Sequence, residues 1–126
     1  MNDFTFELVI SGILFIIMFF LGILLTIKGK PYNIVLTTFH KLLSFLTLVS
    51  IIIVLVNLFK LVNINNIQLI LIIISSIIFI ISFISGVLLI SLKQINVIIL
   101  YIHRITPILT LLSIVLTILF LTRNLQ

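Results

Sequence analysis

The sequence predicts an all-α fold, a polytopic up-down-up-down four-helix membrane bundle made of two similar hairpins. Three observations lead there. Of the 126 residues 63% are hydrophobic and 7% charged, with mean hydropathy +1.63, whereas soluble domains carry roughly 25% charged residues. The apolar residues gather into four runs, each longer than the ~20 residues that span a bilayer. Short polar breaks separate the runs, too short to let neighbouring helices be anything but antiparallel.

Each span has recognisable ends. The first runs over about 4–27 and stops at Lys28-Gly29-Lys30-Pro31, where charge meets two helix breakers. The second covers about 33–59 and closes at Lys60, followed by a turn holding Asn63, Asn65, Asn66 and Gln68. The third covers about 67–92 and stops at Lys93-Gln94. The fourth covers about 96–122 and is followed by Arg123. Backbone polar groups in lipid must be satisfied within the segment, so spans of this kind are helices. Repeat one is then 1–62 and repeat two 63–126, in a single membrane domain.

Charge sets the expected orientation. Lys28, Lys30, Lys41, Lys93 and Arg104 fall at one membrane face, against Lys60 and Arg123 at the other. By the positive-inside rule both hairpin loops are expected in the cytoplasm and both termini outside, in a bacterial or archaeal plasma membrane. The net charge of +5 is spread beside spans, which excludes a nucleic-acid footprint. The first residues include Asp3 and Glu7 where a signal peptide would be basic, so the first span reads as a permanent helix. With no cysteine, disulfides, thiolate metal sites and cysteine catalysis are excluded. No nucleophile–base pair or phosphate loop is visible, so hydrolase and kinase chemistry has no support.

The chain also repeats itself. A shift of 63 residues pairs Lys30 with Lys93, Asn33 with Asn96, His40 with His103 and Lys41 with Arg104. It further pairs Thr47 with Thr110 and Ser50 with Ser113, while Gly22 matches Gly86 with a one-residue gap. Polar residues are scarce in these spans, so such coincidences outweigh matches between leucine and isoleucine.

His40 and His103 are the only histidines. They lie on helices two and four, which run the same way, each about 10 Å along the axis from its asparagine. On helix two, Asn33, His40, Ser44 and Thr47 share a stripe; on helix four, Asn96, His103, Thr110 and Thr117 share one, with Thr106 at its margin. Polar side chains in a span turn inward, so both imidazoles are expected to face each other across the bundle. Gly22 and Gly86 belong to the same layer on helices one and three. Two imidazoles can ligate a haem iron from both faces, and a residue without Cβ leaves room for a flat macrocycle. Lys41 and Arg104 can reach back to the interface, where propionates would lie. Pro107, four residues after His103, removes one helix hydrogen bond from the His103 carbonyl. Thr106, Thr110 or water is expected to take its place.

Histidines on the second and fourth helices, with glycines on the first and third, resemble the b-type cytochrome membrane bundles. Cytochrome b, and more loosely the cytochrome b561-like group, are built on similar layouts. The resemblance covers nearly the whole chain as topology, and as residues rests on His40, His103, Gly22 and Gly86. It implies a haem b with two histidine ligands, serving one-electron transfer with a quinone or a redox partner protein, or haem sensing within a larger complex. One haem per chain, not two, is the most that this residue set can hold. The other resemblance is to small four-span membrane proteins of no assigned role.

Two further readings stand beside the haem. In one the histidines brace the bundle, and the chain is a cofactor-free scaffold or accessory subunit, in a homo- or hetero-oligomer. In the other it is a small proton-coupled transporter using Glu7, the one acid able to reach the membrane interior. Glu7 lies near the outer end of helix one, where an acid is also favoured by the helix N-terminus.

Overall fold

A computed structural model describes residues 3–29, 31–61, 63–91 and 96–123. The described residues form four α-helices: α1 Asp3–Lys28, α2 Ile34–Leu61, α3 Asn66–Ser91 and α4 Val97–Arg123. Among the described residues there is no strand. Each helix is long and apolar enough to cross a membrane; at 1.5 Å per residue, 26 to 28 residues exceed the ~30 Å hydrocarbon core. Lys30, Leu92, Lys93 and Gln94 lie outside the described residues, and with them the Lys30–Lys93 pairing and the expected end of the third span.

The helix ends follow from local chemistry. Gly29 ends α1 with φ of 66° and donates its N–H to the Leu25 carbonyl at 3.2 Å, a left-handed cap that a Cβ would penalise. Asn33 caps α2: its Oδ1 accepts from the Leu36 N–H at 3.2 Å. Asn96 caps α4 in the same way, accepting from the Ile98 N–H at 3.0 Å. Both asparagines therefore stand just before their helices rather than within the polar stripes. At α3 a reciprocal capping box forms: Asn65 Oδ1 accepts from Gln68 N–H at 2.9 Å, and Gln68 Oε1 from Asn65 N–H at 3.0 Å.

The chain divides into two compact units, Met1–Asn63 and Ile64–Gln126. In the first, α1 packs on α2; in the second, α3 packs on α4. Both are antiparallel hairpins. The outward surface is covered with aliphatic and aromatic side chains such as Ile27, Ile34, Phe20 and Ile98. Such a surface suits lipid and not water. The seam of each hairpin is where polar side chains collect, as expected when helices gain nothing from hiding leucine from lipid. Thr47 in α2 and Thr110 in α4 are the most deeply buried, at 0% and 1% exposure.

Candidate functional site

Each histidine docks on the partner helix of its own hairpin. The His40 Nδ1 lies 3.2 Å from the Met18 carbonyl oxygen of α1. The His103 Nδ1 lies 3.0 Å from the Ser82 carbonyl oxygen and 3.2 Å from Ser85 Oγ, both on α3. A carbonyl can only accept, so Nδ1 carries the proton in these bonds.

Glycine explains why those carbonyls are reachable. Gly22 is four residues after Met18, and Gly86 four residues after Ser82. Side chains on a helix lean toward its N-terminus, so a side chain at i+4 overhangs the carbonyl of residue i. Removing Cβ uncovers that carbonyl and leaves its second lone pair for a donor from another helix. The imidazoles fill this space closely. A Cβ built on Gly22 would lie 3.2 Å from His40 Cε1, and one on Gly86 only 2.8 Å from His103 Cε1. The clearance that the sequence offers to a macrocycle is thus taken up, in each hairpin, by that hairpin's own imidazole.

The neighbouring hydroxyls bond back onto their own helices. Ser44 Oγ donates to the His40 carbonyl at 2.7 Å, and Thr47 Oγ1 to the Leu43 carbonyl at 2.7 Å. In α4 Pro107 stands where Ser44 stands in α2. The expectation that Thr106 or Thr110 would serve the His103 carbonyl needs correcting. Thr106 Oγ1 donates to the Ile102 carbonyl at 2.9 Å, and Thr110 Oγ1 to the Thr106 carbonyl at 2.9 Å. A hydroxyl back-bonds most easily to the residue four before it, and His103 is four before neither. Lys41 and Arg104 are exposed, one residue beyond their histidines. Among the described residues no group of three or more His, Asp, Glu or Cys side chains is placed to hold a metal ion.

Two contacts were not read from the sequence. The half-buried Glu7 accepts a hydrogen bond from Asn57 Nδ2 at 2.6 Å across hairpin one, and Ser11 Oγ meets Ser50 Oγ one turn deeper. The signal was present. In an antiparallel pair each step up one helix is a step down the other. Pairing Gly22 with His40 therefore sets Ser11 opposite position 51 and Glu7 opposite position 55, each within a turn of its partner. The second missed signal is an offset of 64 between α1 and α3, which matches Ser11 with Ser75, Phe15 with Phe79 and Met18 with Ser82. Phe15 and Phe79 are both buried, at 5% and 7% exposure.

No protein-family model, curated protein or solved structure matches the chain. The cytochrome b-like resemblance therefore has no family match behind it. The described residues are helical apart from short connections and include four membrane-length helices, and the chain is an integral membrane protein in contact with the lipid bilayer.

Proposed function

We propose that the chain is a cofactor-free membrane scaffold or accessory subunit in which His40 and His103 brace the two hairpins. One observation carries this reading: each imidazole fills the gap over a glycine of its own hairpin and donates to the carbonyl which that glycine uncovers. In lipid such a bond fixes both the depth and the rotation of one helix against the other, which apolar packing alone does loosely. Interhelical bonds of this sort contribute on average about 0.6 kcal/mol, rising to about 1.7.

A second reading, haem ligation, is favoured by the same Nδ1 contacts. Metal-ligating imidazoles commonly donate their other ring N–H to a backbone carbonyl, which fixes the tautomer with the Nε2 lone pair. His40 and His103 would then hold a haem b iron, which would supply one-electron transfer. The space over Gly22 and Gly86 gives no support to a macrocycle, since the rings occupy it.

An optical spectrum separates the two. Protein expressed with ample haem is expected to be purified colourless, and His40→Ala and His103→Ala to stay helical while their hairpins loosen. A Soret band that sharpens on reduction, and that either substitution abolishes, would replace the scaffold with the cytochrome.

A further inference from the structure

Hairpin one carries a titratable group near each end of a single polar file, and hairpin two does not. At the end bearing the N-terminus, Glu7 Oε2 accepts from Asn57 Nδ2 at 2.6 Å. One turn further in, Ser11 Oγ donates to the Glu7 carbonyl at 2.8 Å and meets Ser50 Oγ. From Ser50 the file follows α2 through Thr47 and Ser44 to His40, in steps of three, three and four residues. Residues so spaced are neighbours on one helix face, about 5–6 Å apart at Cβ. That face is turned into the seam, since Thr47 is 0% exposed and His40 bonds to α1. From Asn57 to His40 is 17 residues, or about 25 Å along the axis, most of the ~30 Å hydrocarbon core.

We propose that the seam of hairpin one is a proton relay between the two membrane faces. An ionisable side chain inside a span is costly to keep, which makes it a functional candidate. Here the Glu7 carboxylate is held by Asn57, and the nearest hydroxyl of the file, Ser11, bonds to the Glu7 backbone carbonyl, so Ser11 must swing to the carboxylate to take its proton; each hydroxyl can accept a proton while giving up its own. A proton arriving from the terminal side binds the Glu7 carboxylate. Transfer along Ser11, Ser50, Thr47 and Ser44 delivers one proton to His40 Nε2, while Nδ1–H stays on the Met18 carbonyl. His40 then releases one proton toward the loop side, so each passage moves one charge and changes no bond. Ser11, Ser44 and Thr47 donate to carbonyls of their own helices one turn back, and transfer requires each to swing toward the next oxygen. From α2 Asn57 faces Glu7, with Lys60 exposed a turn beyond, and Ser50 faces Ser11; those facing His40 from α1 are the Met18 carbonyl and Gly22, with Lys28 exposed at the end of that helix.

Hairpin two is a built-in control. It has its own buried hydroxyls, Thr110 and Thr117, but apolar Leu71 and Phe120 stand where Glu7 and Asn57 would be. This inference does not rest on the scaffold reading, because a braced hairpin can also carry protons.

The test is proton flux into liposomes containing the full chain, driven by a potassium gradient with valinomycin and read with an internal pH dye. The wild-type chain is expected to exceed protein-free vesicles. Glu7→Gln and the near-isosteric Thr47→Val are each expected to cut that excess at least tenfold, and Thr110→Val to leave it unchanged. Ser44→Ala, at a half-buried position, guards against a packing defect in Thr47→Val and is expected to cut it too. Flux no greater than in protein-free vesicles would overturn the relay. So would full flux in Glu7→Gln, or an equal loss in Thr110→Val.

Discussion

The two hairpins share a plan and differ in what fills their seams. Hairpin one buries mainly apolar side chains, Phe15, Met18, Val54 and Leu58, with Ser11 and Thr47 among them. Hairpin two buries mostly small and polar ones: Gln68, Ser82, Ser85, Thr106, Thr110 and Thr117, beside Ile72 and Phe79. Small residues let helix backbones approach closely. The histidine contacts follow suit, with the His103 ring 2.8 Å from the Cβ position of Gly86 and the His40 ring 3.2 Å from that of Gly22. Ser85 adds a second oxygen for His103, at a position where α1 has Leu21. Hairpin two thus closes on a seam of small side chains, whose hydroxyls mostly bond to their own helices, with His103 bonded across it. Hairpin one spreads the task over side-chain packing, His40 and the Glu7–Asn57 bond.

If so, substitutions at matched sites should cost different amounts. The largest difference is expected from filling the glycines. In Gly86→Ala the new methyl forces the His103 ring off its carbonyl, with a cost of about 2 kcal/mol, in the range of overpacked cores. In Gly22→Ala a shift of a few tenths of an ångström suffices, so the expected cost is under about 1 kcal/mol. Reversible unfolding in mixed detergent micelles measures both, and equal costs would break the comparison.

Removing the imidazoles comes next. His103→Ala is expected to cost about 1.5 kcal/mol and His40→Ala about 1 kcal/mol, as packing is lost together with bonds of the strength found between membrane helices. Ser85→Ala sharpens this test, because without the second oxygen the two costs should converge. The smallest effect is expected at Asn57. Replacing it with Leu removes the donor to Glu7 and should cost hairpin one about 0.6 kcal/mol. Hairpin two, with Phe120 at the matching position, should keep its stability.

Much of the fold was legible in the sequence because lipid leaves few choices. The apolar runs located α1 to α4 to within about two residues at the described ends. The ends were marked by residues with a specific task, Gly29 in its left-handed cap and Asn33, Asn65 and Asn96 before their helices. The site was legible only in outline. His40, His103, Gly22 and Gly86 do form one kind of contact, but a pattern of polar positions cannot say which neighbouring helix a ring meets. Nor does it reveal that a glycine uncovers the carbonyl four residues earlier. The α1–α3 correspondence was obscured because Gly22 and His40 are 18 residues apart, whereas Gly86 and His103 are 17 apart. A single shift of 63 aligns α2 with α4 and misses Phe15 and Phe79 by one residue.

The most direct test is proton–proton NMR of the chain in lipid nanodiscs, with histidine and glycine selectively labelled. A ring resting on a glycine brings the imidazole Hε1 within nuclear Overhauser range of that glycine's Hα protons. Two cross-peaks are expected, His40 to Gly22 and His103 to Gly86, the second the stronger. Imidazole protons that instead show cross-peaks to lipid acyl chains, with neither glycine contact, would contradict the brace in both hairpins.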